Sequence, residues 1–159
     1  MSTTKKIYNF LEEPRGAIYQ ELLKYGLRIC NEFILVVRPT LPLERNGKEI
    51  LEQLTPFLRE ELHLQSWPGT TLLKGYARVH FYKLTPQSTA FLLNSANFLF
   101  DWCQPRLPED LCLIRDDKSP WLVSVSHEKD SYLHLSKNEL DHLLSTVPLL
   151  KELISPQAT

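Results

Sequence analysis

The spacing of apolar and polar residues changes period several times along the chain, and each change marks an element. The densest information lies between Leu107 and Leu144. There LCLIR, WLVSVS and SYLHL are short apolar or alternating runs separated by the turn-prone DDKSP and HEKD, and they predict three strands. SKNE follows. Ser136 stands where an N-cap belongs, Glu139 holds the capping-box position, and Leu135 and Leu140 sit where a hydrophobic staple would form. The helix opened there turns Leu140, Leu143, Leu144 and Val147 toward a core.

Upstream, Pro14 suits the first position of a helix, where its missing N–H would have gone unpaired anyway. Ala17, Ile18, Leu22 and Tyr25 follow at helical spacing, and Gly26 can end or interrupt the helix. Phe33 to Arg38 is a continuous β-prone run closed by Pro39, the pattern of a strand buried on both faces. After the loop RPTLPLER, Asn46 and Glu49 predict a second capping box. Ile50, Leu54, Phe57, Leu58 and Leu62 continue a helical stripe that Pro56 must kink or divide.

Ser66 to Thr71 predicts a turn. From Leu72 to Tyr82 the period becomes two, with Tyr76, Arg78, His80 and Tyr82 alternating against Ala77, Val79 and Phe81. Thr85-Pro86 opens a third helix, apolar over most of its circumference as far as Trp102. The order α-β-α-β-α-β-β-β-α predicts one α+β domain over residues 1–159. About five mostly antiparallel strands would pack against three to four helices, with residues 1–6 and 155–159 as flexible tails.

Composition changes this picture little, since 43% apolar and 23% charged residues are ordinary for a globular chain. Charge adds an asymmetry. Residues 1–100 carry 12 Lys/Arg against 9 Asp/Glu, a net of +3, whereas residues 101–141 carry 5 against 9, a net of −4. No basic block of the kind that tracks a phosphate backbone is present, which disfavours nucleic acid as a partner. Cys30, Cys103 and Cys112 are odd in number and lack CxxC spacing, which argues against a disulfide framework or a zinc site. No run approaches the ~18 apolar residues of a membrane span, and MSTTKKIYNF has no signal-peptide core. A cytoplasmic, reduced protein with no membrane association, metal or cofactor is the expectation.

Candidate chemistry collects on the C-terminal turns. Ser126, His127 and Glu128 are the residue types of a nucleophile, a base and an orienting acid, with His134 nearby in sequence. Strand neighbours point to opposite faces, however, and no Gly-x-Ser-x-Gly elbow frames the serine. HEKD matches no established metal spacing. Asp116 and Asp117, like Glu109 and Asp110, suit turns, because Asp bonds its own backbone. Trp67, ahead of Pro68-Gly69, is either an anchor of its loop on the core or an exposed contact.

Three expectations result. The first is a non-catalytic protein-binding domain of adaptor, secretion-chaperone or immunity type. It would meet another protein through Trp67 and an acidic, turn-rich surface of Asp116, Asp117, Glu128 and Asp130. The second is a small enzyme centred on His127, with Ser126 and His134. The third is a small-ligand or nucleic-acid sensor using the Tyr76–Tyr82 strand face. The apolar surplus from Phe91 to Trp102 leaves room for a homodimer.

Overall fold

A computed structural model describes residues 4–158. Among them the chain runs β1 (Lys5–Phe10), α1 (Ala17–Ile29), β2 (Cys30–Val37), α2 (Arg45–Leu54), β3 (Leu58–Leu64), β4 (Ser66–Trp67) and β5 (Thr70–Thr71). It continues through β6 (Ala77–Lys83), α3 (Pro86–Ser95), β7 (Glu109–Arg115), β8 (Pro120–Val125), β9 (Asp130–Ser136), α4 (Lys137–Thr146) and β10 (Ile154–Pro156). Eight strands form one open sheet in the order β10-β1-β9-β8-β7-β2-β6-β3, and β4 and β5 make a separate small hairpin. Every pairing in the large sheet is antiparallel. The protein is therefore α+β, with eight strands in its main sheet rather than about five. No helix among the described residues is long and apolar enough to cross a membrane.

Period-two alternation sends the sheet's side chains into two cores. Phe33, Leu35, Tyr82, Leu113 and Leu133 face the helices, meeting Tyr19 and Leu22 of α1, Leu54 of α2, Leu92 of α3 and Leu143 of α4. Ile34, Val36, Val79, Cys112, Ile114 and Val123 point the other way, where Trp67 from the β4–β5 hairpin covers them. Phe33 through Val36 are wholly buried, so β2 is the two-faced strand its sequence predicts. At the hairpin tip Gly69 has φ +86°, and a Cβ there would come within 2.8 Å of both Val123 and Val125. Only glycine lets the turn lie so close on β8.

The strongest local signals hold. In the last helix the Glu139 N–H donates to Ser136 Oγ at 3.2 Å and the Ser136 N–H to Glu139 Oε1 at 2.9 Å. Thr85 caps α3 ahead of Pro86. The three predicted C-terminal strands are β7, β8 and β9. α1 runs on past Gly26, whose hydrogen lets the helix press on Leu113 and Trp121.

Six expectations are corrected. α1 begins at Ala17, with Gly16 and not Pro14 at its start, and the strand expected from Leu72 begins only at Ala77, residues 72–76 forming a loop. α2 starts at Arg45 with Glu44 as its cap residue, one position before Asn46, because the Glu44 N–H is tied to the Pro105 carbonyl at 2.7 Å. The second helix stops at Leu54; a 3-10 turn carries Pro56, and Leu58–Leu64 becomes edge strand β3. The third helix ends at Ser95, because Asp101 Oδ2 accepts the N–H groups of Asn97 and Phe98 at 3.0 and 3.1 Å and turns the chain. Lys5 and Lys6, expected in a tail, open β1 between β9 and β10, and Ser155 and Pro156 belong to β10. Residues 1–3 and 159 of the expected tails lie outside the described residues.

Candidate functional site around Arg38

β2 hands the chain to Arg38, whose backbone is clamped by the buried amide of Gln104. The Arg38 N–H donates to Gln104 Oε1 at 2.6 Å, and Gln104 Nε2 donates to the carbonyls of Arg38 and Leu41 at 3.2 and 2.9 Å. The guanidinium lies over the Trp67 ring at 5.3 Å. Beneath it, β7 begins with two carboxylates that are wholly buried, Glu109 and Asp110. Arg38 approaches Glu109 Oε2 at 3.2 Å and Asp110 Oδ2 at 3.6 Å. Two buried carboxylates side by side need such compensation.

The two acids do different work. Asp110 is fully bonded: its Oδ2 accepts from Trp67 Nε1 at 3.0 Å and its Oδ1 from the Ser126 N–H at 2.9 Å. It thereby ties the β4–β5 hairpin and the turn after β8 to the start of β7. Its φ of 59° is left-handed, a region that aspartate enters more readily than most non-glycine residues. Glu109 has no hydrogen-bond partner at either oxygen. His127 Nε2 comes to 3.0 Å of its Oε2, an ion-pair distance without hydrogen-bond geometry. Burial, then the charge of Asp110, pushes the Glu109 carboxyl above the usual range, and Arg38 and His127 offset this only in part.

His127 is 39% exposed, and the Cys103 sulfur lies 3.7 Å from both of its ring nitrogens. Burial, with Glu109 and Asp110 adding to it, pushes the Cys103 thiol up to about 11. A thiol held there is protonated at neutral pH and is a poor nucleophile. Among the described residues no group of three His, Cys, Asp or Glu is placed to hold a metal ion.

Three clefts share Arg38 as a wall, with volumes of about 460, 440 and 340 Å³. The largest has an apolar floor of Val37, Leu41, Leu43 and Ala77, and its rim carries Lys48, His63, Tyr76 and Arg78. The second lies against Gly69–Lys74, His127 and Glu128, and the third against Pro39, Leu72, Lys74 and Tyr76. The loop 72–76 borders all three. At its tip Leu73 is fully exposed, and Tyr76 is 61% exposed.

Of the residues singled out in the sequence, the structure gathers only some. Trp67 is buried, so it anchors its loop and offers no free contact surface. Ser126 is buried too, and its Oγ donates to the Trp102 carbonyl at 2.6 Å. His134 lies toward the far end of β9 from His127, paired with Ile7 of β1, so the two histidines share no site. Asp116 and Asp117 are in the β7–β8 turn; Glu128 is in the β8–β9 turn and Asp130 opens β9, paired with Val125. The six residues of β8 hold the two pairs about 20 Å apart, so they form no common acidic surface.

The Tyr76–Tyr82 face is also split. Tyr76 precedes β6 and Arg78 is open, whereas His80 and Tyr82 are buried, Tyr82 stacking on Phe33 at 4.9 Å. Sequence reasoning missed Arg38, Gln104 and the burial of Glu109. Arg38 follows the apolar run Phe33–Val37 and Glu109-Asp110 precede the run Leu111–Ile114, the only trace of either in the sequence, and Gln104 leaves none. No protein-family model matches the chain, and no curated protein or solved structure matches it.

Proposed function

We propose that this is a non-catalytic protein-binding domain whose contact surface is the loop 72–76 and the clefts around Arg38. One observation carries this reading: Leu73 and Tyr76, large apolar side chains, stand exposed on a loop bordered by all three clefts. Exposed apolar groups beside rigid, partly apolar hollows are the usual anatomy of an interface centre. Rigidity comes from beneath, through the Asp110 bonds and the Gln104 clamp. The acidic turns are no longer the preferred surface, because they sit at opposite ends of β8.

The test is affinity capture from the native host at moderate salt, with three baits. Wild type and the Asp116→Lys/Asp117→Lys variant should retain the same stoichiometric partner, and Leu73→Ala/Tyr76→Ala should lose it. Both alanine changes remove exposed side chains, so stability should move by no more than about 0.5 kcal/mol. Loss with the aspartate reversals and retention with the alanines would overturn the assignment of the surface.

A second reading, an enzyme centred on His127, has its own observation. Buried Glu109, His127 and Cys103 stand in succession, in the order of an orienting acid, a base and a thiol. The raised thiol weighs against it.

A further inference from the structure

The clefts around Arg38 are basic as well as apolar, and most of that charge is unspent. Four cations line them, Arg38, Lys48, Lys74 and Arg78, against the single carboxylate of Glu128. Arg38 is compensated from beneath by Glu109 and Asp110. Arg78 reaches Glu61 only at 4.0 Å, and that oxygen already lies 2.8 Å from His80 Nε2. Lys48 and Lys74 take part in none of the ion pairs among the described residues. The largest cleft thus combines an apolar floor with Lys48 and Arg78 at its rim and no acid on its walls.

Resting on the binding-domain reading above, we infer that the occupant is a partner segment carrying carboxylates beside a large apolar side chain. The apolar group seats on Val37, Leu41 and Ala77, and the carboxylates meet Lys48 and Arg78. Complementary charge of this kind steers encounter and rejects basic partners. A nucleic-acid strand fits less well. Its regular phosphates need a stripe of cations with interleaved aromatics, whereas here the cations surround an apolar hollow with one exposed tyrosine.

The probe is a fluorescein-labelled peptide of glutamates around one central phenylalanine, followed by fluorescence anisotropy. Saturable binding should weaken as salt rises from about 20 to about 150 mM. It should also weaken about fivefold with Arg78→Glu, and by a similar factor when the peptide's phenylalanine is replaced by alanine. Lys48→Glu repeats the test from α2, should Arg78→Glu disturb the sheet. No saturable binding, binding indifferent to both reversals, or tighter binding of a single-stranded oligonucleotide of equal length would overturn the inference.

The two readings fail separately. A partner lost on Leu73→Ala/Tyr76→Ala, with peptide binding blind to Arg78 and Lys48, keeps the binding domain and removes its acidic ligand. Peptide binding that depends on Arg78 in a chain that captures no protein supports the cleft's chemistry and removes the protein partner.

Discussion

Replacing Trp67 with alanine should strip the cover from one face of the sheet. The indole is 6% exposed and rests on Ile34, Val36, Val79, Cys112, Ile114 and Val123. Truncating a buried tryptophan costs about 3–5 kcal/mol through lost burial and the cavity left behind. The Nε1–H also donates to the Asp110 carboxylate, a charged acceptor of the kind worth about 1.5–3 kcal/mol. Asp110 keeps the Ser126 N–H and Arg38, so it is not left bare, and the hairpin can sag into part of the void. With those offsets the sum falls toward its low end, which places Trp67→Ala at about 4–6 kcal/mol, a large share of the roughly 5–15 kcal/mol typical of a whole domain.

Trp67→Phe separates the two contributions. It keeps an aromatic ring in the same hollow and removes only the donor, so about 1.5–3 kcal/mol is expected. Urea denaturation followed by far-UV circular dichroism measures both, without mixing in fluorescence from Trp102 and Trp121. The midpoint should fall and the slope stay constant. A cost for Trp67→Ala below about 1 kcal/mol would mean that the hairpin does not seal the second core. A phenylalanine as harmful as alanine would mean that the hydrogen bond, not the packing, holds the hairpin.

Two further outcomes follow from the charged groups. Glu109 binds its proton more tightly in the fold than a free glutamate, whose ordinary value is 4.5. Its favourable contribution is complete below that value and lost as pH rises through the folded one. Glu109→Gln should therefore gain on wild type as the pH is raised from about 4 toward neutrality. Glu139 is the opposite case. Burial pushes it up, but the Ser136 N–H and Arg115 outweigh this and hold it below 4.5. Its contribution is present above that value and fades on acidification, so Glu139→Gln should lose most near neutrality, and the gap should close below about pH 4. Urea midpoints across that range with the same trend for both variants would refute the electrostatics. Cys103 is the third test: its alkylation by iodoacetamide should still accelerate above about pH 10. A plateau near neutrality would reveal a thiolate activated by His127 and restore the enzyme reading.

Part of this molecule was legible from neighbours along the chain. Ser136 and Glu139 cap a helix because the groups they satisfy lie three residues away, whatever the rest of the fold does. Phe33 to Val37 reads as an inner strand because the run is too apolar for a surface, is rich in β-branched and aromatic residues, and is closed by Pro39 after Arg38. β7, β8 and β9 are likewise bounded by their own turn residues.

Other elements depended on distant partners. In LREELHL the leucines at 58 and 62 fit a helix as well as a strand, and pairing with β6 after the Pro56 break decides for the strand. β1 is one of the inner strands of the sheet only because β9 and β10 flank it, and both lie more than a hundred residues away. The site divides in the same way. Asp116 and Asp117 are near Glu128 and Asp130 in sequence, yet one extended strand keeps them apart. Arg38 meets Glu109 and Asp110 from across the chain because β2 and β7 are neighbours in the sheet. Capping and periodicity act over a few residues and are written locally. Burial of a charge, and the choice of what compensates it, are set by strand order, which no local pattern encodes.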